Sequence, residues 1–453
     1  MGEATLNFAD DAQVDSIADS NLEVTDMQGK DVTSSGEQVT TQTQKPVGAP
    51  LADAVKTTCC IVGSGPAGAV LALLLARKGI PVMLLEEHMD FDRDFRGDTI
   101  HPSIMQIMDE IGLADRLLQL NHTNVSSIPV QTAKGTVTLG DFSHLKTRFP
   151  YIAMIAQVHF LEFITTEAKR YPNFQLVMGA RVEKLVEENG EVRGVHYRGQ
   201  DGWHEVRATL TVGADGRFSR IRRLAGFEPI KTAPPMDVLW FRLPRKAGDP
   251  EQSGGRLGGG HILIMLNRAD YWQMGYVIPK GGYQEIKAAG LEKLREAIAE
   301  LLPEFADRME SVQEWKQVSV LSVESSRLPR WYRPGLLLIG DAAHVMSPVG
   351  GVGINYAIQD AVVAANVLTE HLKAGKMPLS DLAEVQRKRE LPTRIIQGFQ
   401  NTLQKQVLAK VLKSDKPLTV SPFLIFLLRL PWVGNLPARL IAFGPVSVHV
   451  KNP

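Results

Sequence analysis

Three glycines spaced Gly63-x-Gly65-x-x-Gly68 stand between an apolar run and a stretch of helical spacing. Glycines in this pattern serve a dinucleotide. The first permits a tight turn out of a strand, the second lets the backbone approach a pyrophosphate, and the third lets the helix pack close to the sheet. Ala67 lies inside the pattern, where the opening N–H groups of a helix face phosphates. Glu86 follows about 20 residues on, where a carboxylate accepts from ribose hydroxyls and disfavours a 2′-phosphate. The site therefore suits FAD or NAD better than NADP.

Two further segments could do chemistry. Val212-Gly-Ala-Asp-Gly-Arg-Phe-Ser219 ends a strand on Asp215-Gly216 and leads into Arg220, Arg222 and Arg223. Taken alone, Asp-Gly is an ordinary turn pair. Leu337-Leu-Ile-Gly-Asp-Ala-Ala-His344 delivers Gly340 and Asp341 at the end of a buried strand. Doubly wound sheets bind ligands at that edge. The chain continues through Pro348, Gly350 and Gly351 to a helix expected near Gly353, Ile354 and Asn355. Free N–H groups at such a helix start would face a carbonyl or an anionic ring edge.

The elements that must position these residues are legible in the hydrophobic pattern. Thr57–Val62 and Ile80–Leu85 read as strands around a helix Ala69–Lys78, a βαβ start. Ser103–Leu118 has helical spacing, with Ile104, Ile107, Met108 and Ile111 on one face. Phe160–Arg170 reads as another helix, and Asn189-Gly190 as the turn of a hairpin. From 231 to 325 the texture changes to strand-like pieces between Gly-rich turns, with a helix Leu291–Leu302. Leu336–Ile339 then returns to a buried strand, and Gly353–His371 to a long helix. The expected division is an acidic tail over 1–55, a discontinuous nucleotide-binding domain over 56–230 and 326–400, an inserted domain over 231–325, and an apolar helical segment over 401–453.

Composition narrows the class. The 453 residues are 44% hydrophobic and 22% charged, with 50 basic against 50 acidic side chains, so nothing points to nucleic acid. Residues 1–50 hold one aromatic, Phe8, and read as disordered. Cys59 and Cys60 are neighbours in one strand and point to opposite faces, so no disulfide is expected and a cytoplasmic setting is. No metal site is expected. No run reaches the ~18 apolar residues of a membrane span; the nearest, Pro422–Leu428, is ended by Arg429 and Pro431. The apolar, Pro-rich stretch 417–445 could pack on the body, at a homodimer contact, or shallowly on a membrane; monomer and homodimer stay open.

The three motifs, in this order and around an inserted block, resemble the p-hydroxybenzoate hydroxylase-like FAD monooxygenases. The resemblance covers about 57 to 450. It implies an α/β fold: a Rossmann-like FAD-binding domain of the glutathione-reductase type, an inserted β-sheet substrate domain and a C-terminal helical segment. It implies that Gly63, Gly65, Ala67, Gly68 and Glu86 hold the ADP part, that Asp215 and Gly216 support the pyrophosphate, and that Gly340 and Asp341 meet the ribityl chain. Pro348, Gly353, Ile354 and Asn355 match the loop and helix start beside the isoalloxazine. Arg96, in Phe95-Arg-Gly-Asp-Thr-Ile-His-Pro102, looks like the family's flavin-contacting arginine. Gln157 occupies the place of a polar FAD contact, and Val182 that of a backbone contact to adenine. One departure is Glu87, where the family often has arginine.

The resemblance also implies the reaction: NAD(P)H reduces FAD, O2 reacts with reduced flavin, and a C4a-hydroperoxide transfers one oxygen to a small aromatic or polyketide-like substrate. No second Gly-x-Gly-x-x-Gly opens a helix, so NAD(P)H is expected as a transient co-substrate. A halogenase would carry Trp-x-Trp-x-Ile-Pro, whereas this chain has Met274-Gly-Tyr-Val-Ile-Pro279. A reductase of a prenyl or polyene chain and a non-catalytic FAD-binding module complete the alternatives. For the substrate, His101, Tyr276 and Arg256 are candidate acid, base or anchor, and each is also explicable as a turn or core residue. His344 reads as structural.

Overall fold

A computed structural model describes residues 54–92, 98–132, 135–412 and 431–452. The expectations for the acidic tail, for Arg96 and for Pro422–Leu428 fall outside those residues.

The first sheet grows from the βαβ start. β1 (Val55–Val62) leads through the glycine loop into α1 (Pro66–Arg77), and β2 (Val82–Glu86) follows. Gly79, at φ +79°, ends the helix as its position after the last turn requires. β3 (Thr99–Ile100) and α2 (Pro102–Glu110) come next. The helix expected over Ser103–Leu118 is broken: Gly112 takes φ +71° and a separate turn of helix, Ala114–Leu117, follows. The apolar spacing persists across the break because Leu113 and Leu117 are buried in the same core as Ile104, Ile107, Met108 and Ile111.

Two strands that the pattern did not suggest, β4 (Ser127–Thr132) and β5 (Gly135–Asp141), precede α3 (Gln157–Ala168) and β6 (Phe174–Met178). β7 (Arg181–Glu188) and β8 (Glu191–Gly199) form the hairpin. Its turn holds Asn189 at φ +52° and Gly190 at φ +78°, the two left-handed residues a tight hairpin needs. β9 (Gly202–Gly213) completes this stretch.

The inserted block supplies β10 (Met236–Pro244), β11 (Gly254–Gly258), β12 (His261–Asn267), β13 (Tyr271–Pro279), α4 (Leu291–Leu301) and β14 (Ser319–Leu321). The chain then returns through β15 (Tyr332–Arg333) and β16 (Leu336–Leu338) to α5 (Gly353–Lys373) and α6 (Leu379–Leu403). After a short helix Ala409–Leu412, α7 (Pro431–Phe443) is the last described helix.

In the first sheet the strands lie in the order β15-β16-β9-β1-β2-β6, with β8 paired to β9 and β7 to β8. β16, β9, β1, β2 and β6 run parallel. α1 and α5 pack together over this sheet, and their apolar faces join the strands in one core. Both cysteines lie in that core as free thiols, and burial pushes Cys60 up to about 12.

The second sheet runs β14-β10-β13-β12-β11-β4-β5. It therefore includes two strands from 127–141, outside the inserted block. Period-two alternation gives it two apolar faces. Leu239, Phe241, Leu243, Trp272, Met274 and Tyr276 pack under α4 with Leu294 and Ile298. Val238, Trp240, Ile262 and Val277 face the other way and pack with Val349, Leu408 and Val411.

Candidate active site

Register places the three motifs side by side. Val62 pairs with Gly213 and with Leu85, and Gly213 with Leu338. Gly63, Asp215-Gly216, Gly340-Asp341 and Glu86 thus emerge at one C-terminal edge of the parallel strands. The motifs also pack on one another. Gly63 has φ +98°, and a Cβ there would lie 2.6 Å from the Ala214 oxygen and 2.7 Å from the Asp215 Cα. At Gly68 a Cβ would overlap the carbonyl oxygen of Gly63. Gly340 lies between the Cβ atoms of Ala67 and Ala357. Only Gly65 differs among these: a Cβ there meets nothing within 4 Å. Neither α1 nor α5 has a side-chain cap, so the N–H groups of Ala67 and Gly68, and of Gly353 to Asn355, get none from a capping side chain.

The acidic residues divide by partner. Glu86, buried at the end of β2, accepts from the Ser64 N–H at 2.9 Å and the His88 N–H at 3.1 Å, which fixes the glycine loop. Asp215 accepts from the Ser219 hydroxyl and from the Ile221 N–H at 2.9 Å. Burial raises its carboxyl, against those hydrogen bonds. Its side chain shapes its own turn. Arg222, a residue the sequence reading left without a role, donates to the Arg217 oxygen at 2.7 Å and the Ala342 oxygen at 3.1 Å. It binds the second motif to the third. Asp341 stands half-buried in the turn Gly340–Ala342.

The remaining expected contacts surround this edge. Gln157 opens α3, and its N–H donates to Asp98 at 3.1 Å. Ala180 donates to the Glu86 oxygen at 2.7 Å, which brings Val182, at the start of β7, beside the end of β2. At the departing position Glu87, the Arg181 guanidinium stands 3.2 Å away, so a neighbouring strand brings an arginine there.

The loop 346–355 is braced from below and from the side. Thr99 donates to the Gly351 oxygen at 2.8 Å. Asn355 accepts from the His101 N–H at 2.9 Å and donates to Thr99 and Gly351 oxygens at 3.2 and 3.1 Å. Its side chain is thereby a tie between the loop and β3, and its backbone N–H opens α5. Ile354 is half-buried, and a Cβ on Gly353 would meet only Met346, at 3.9 Å. Pro348 starts the turn Val349–Gly351. Beneath the loop, Asp360 accepts from the Gly340 N–H at 3.0 Å, His344 at 2.6 Å and Arg389 at 2.7 Å, all out of solvent. Burial works to raise the Asp360 carboxyl, but His344 and Arg389 outweigh it and hold it below the ordinary range. This network was missed from the sequence. The signal was a lone aspartate within the apolar run Ala357-Ile-Gln-Asp-Ala-Val-Val.

The three substrate-facing candidates separate. Tyr276 lies on the α4 side of the second sheet and bonds His261, and burial pushes it up to about 12. Arg256 is spent on Glu304 at 2.7 Å and the Leu301 oxygen at 2.8 Å. His101 alone of the three stands against the 346–355 loop, as the residue that precedes α2.

Residues 56–396 match the family of the FAD binding domain. A 6-methylpretetramide 4-monooxygenase of Streptomyces rimosus is 37% identical over 327 residues, 72% of this chain and 78% of that protein. The chain belongs to this family of FAD-dependent monooxygenases. Two solved structures share the fold. An anhydrotetracycline hydroxylase, OxyS, of Streptomyces rimosus has a TM-score of 0.66 at 23% identity, over 86% of this chain and 76% of its own. PqsL of Pseudomonas aeruginosa, a probable FAD-dependent monooxygenase, has 0.67 at 21%, over 79% and 100%. FAD is therefore the cofactor of this monooxygenase and NAD(P)H its co-substrate. The residues present fit FAD: space stands open at Gly65, two helices begin without side-chain caps, and all three motifs share one edge. Among the described residues no helix is long and apolar enough to cross a membrane.

Proposed function

We propose that this monooxygenase hydroxylates a polycyclic aromatic, polyketide-like substrate. The observation that carries the reading is the apolar face of the second sheet. Val238, Trp240, Ile262 and Val277, with Ile264 and Leu266, turn toward Val349 of the 346–355 loop. Leu408 and Val411 cover this face in the structure, and where they give way it offers a large planar apolar body an apolar surface with few polar contacts. The tetracycline-type compounds named for two of the similar proteins support the same substrate class.

FAD, when bound and reduced by NAD(P)H, would activate O2, one atom of which goes to the substrate while the other leaves as water. The chain's part is binding, orientation and the exclusion of water. Gly63, Gly65, Ala67 and Gly68 receive the pyrophosphate, Glu86 the ribose, and the backbone of Val182 the adenine. Asp215 and Gly216 keep the pyrophosphate turn in shape, and Gly340 with Asp341 holds the ribityl chain. Arg96 and Gln157 contact the cofactor further along. The N–H groups of Gly353, Ile354 and Asn355, with Pro348 shaping the loop, stabilise negative charge at the ring's carbonyl edge. Fixed dipoles do this without reorganisation. Segments 56–230 and 326–400 act as the FAD-binding part and 231–325 as the substrate part. The protein is cytoplasmic, a monomer or homodimer, with α7 held on the body more than on any membrane.

The test is direct. Purified protein should be yellow and should oxidise NAD(P)H. O2 uptake should rise with 6-methylpretetramide or anhydrotetracycline, and mass spectrometry should find a product richer by one oxygen atom. Stimulation only by small monocyclic phenols would overturn the polycyclic reading. NAD(P)H oxidation with saturation of a prenyl chain and no substrate-stimulated O2 uptake would replace it with a reductase.

A further inference from the structure

The ring of His101 is fixed from two sides. Its backbone N–H is held by Asn355 at 2.9 Å, and its Nδ1 lies 2.8 Å from the carbonyl oxygen of Ile441 in α7. A carbonyl can only accept, so Nδ1 carries the proton. Burial of the whole residue keeps the imidazole neutral, its pKa pushed down to about 4. Nε2 is therefore a bare acceptor, and among the described residues it has no partner. Rotation of the ring to find one would break the bond to Ile441.

His344 also keeps an unpartnered nitrogen, Nδ1, but its ring packs on Trp331 and is held by Asp360 beneath the sheet edge. His101 instead stands where β3, the 346–355 loop and α7 meet. Thr99 bonds Gly351, and Ile441 lies near Gly350. A buried acceptor of fixed tautomer costs stability until a donor reaches it. It rewards an O–H and gives nothing to a carbonyl or an ether oxygen.

We infer that His101 Nε2 accepts a hydrogen bond from a hydroxyl of the substrate and so selects phenolic or enolic rings over their ethers. The inference rests on the monooxygenase reading of the 346–355 loop and goes beyond it in assigning the group that orients the ring. Nε2 is closed to solvent in this structure, so side chains around Ile441 must give way as the substrate enters. Once dry, the site discriminates strongly, because an analogue without the hydroxyl leaves a buried acceptor unpaired.

Two variants separate anchoring from mere support. In His101→Asn the amide N–H2 replaces Nδ1–H toward Ile441, and no atom replaces Nε2. In His101→Gln the amide oxygen reaches toward the Nε2 position. FAD-loaded wild type and both variants are titrated with anhydrotetracycline and with its O-methyl ethers. The wild type should prefer the free hydroxyl. In His101→Asn, affinity for the hydroxyl probe should fall by about tenfold to a hundredfold while the ether is unaffected. His101→Gln should restore part of the preference, and the FAD content and substrate-free visible spectrum should be the same in all three. Equal loss for both probes, or an unchanged preference in His101→Asn, overturns the inference. So does a shifted substrate-free flavin spectrum, which would give Nε2 to a cofactor N–H. If FAD-loaded wild type binds neither probe, the polycyclic reading fails instead, and phenol against anisole then decides the role of His101 by the same comparison.

Discussion

Asp360 carries three hydrogen bonds and is fully buried. Removing one member of a buried ion pair leaves the other charge uncompensated, which costs far more than the pair is worth against an apolar substitute. Asp360→Asn should therefore lose about 3–5 kcal/mol in urea unfolding. Asp360→Asn with Arg389→Met should lose less than the sum of the two single changes, because they share one network. A full sum would show that the two side chains act independently. His101 adds a pH dependence of known sign. Its folded pKa, about 4, lies below the ordinary value of 6.5. The unfolded chain takes up a proton first on acidification, so the contribution is intact above about pH 6.5 and is lost as pH falls toward 4. His101→Asn should flatten the stability profile in that window by roughly 3 kcal/mol relative to wild type. Superimposable profiles would mean that the ring is not held neutral.

At the scale of elements, the strands and glycine turns around the nucleotide edge were legible because they obey local rules. Gly63, Gly65 and Gly68 sit between a buried strand and a helix, and Asn189-Gly190 closes a hairpin. β4 and β5 were not legible, since pairing across sequence distance makes them: β4 lies parallel to β11, Val130 against Gly255. α6 is hard to read in the sequence because Pro392 and a dense set of charges hide its apolar stripe, which is carried by Leu382, Val385 and Ile396. Among the site residues, the sequence points to the backbone of Asn355, while its side chain ties two elements, a contact no single segment encodes. The glycine loop itself gives a paired test. Gly68→Ala must push α1 from β1 and should cost about 1–3 kcal/mol even without cofactor. Gly65→Ala adds a methyl to open space at a backbone of φ −71° that alanine adopts freely. The apoprotein should melt as wild type does, while FAD affinity falls by roughly tenfold or more. Equal FAD affinity in Gly65→Ala, measured by flavin fluorescence, would remove the pyrophosphate from that space.

On the scale of the whole molecule, the edge that gathers the three motifs and the last described helix, α7, meet at the 346–355 loop. The edge that gathers Gly63, Asp215 and Gly340 is complete without α7. α7 packs elsewhere: Ala438 and Ala442, both buried, lie against Phe142, Ile152 and Met154, and Ile441 reaches His101 and the loop cluster of Met346 and Val352. Residues beyond it are sewn down as well, His449 and Val450 to Glu110 and Lys451 to Asn366. A closed site excludes water, whose access would let the activated oxygen leave as hydrogen peroxide before it reaches the substrate. Binding and coupling should then separate. Ala438→Asp places a charge in an apolar contact and should loosen α7 there. The variant should purify yellow, with FAD content near wild type, and should still oxidise NAD(P)H. Product formed per NAD(P)H consumed should fall, with hydrogen peroxide making up the difference. Loss of FAD in step with coupling would make α7 part of the cofactor site. Unchanged coupling would leave it a packing element with no share in the reaction.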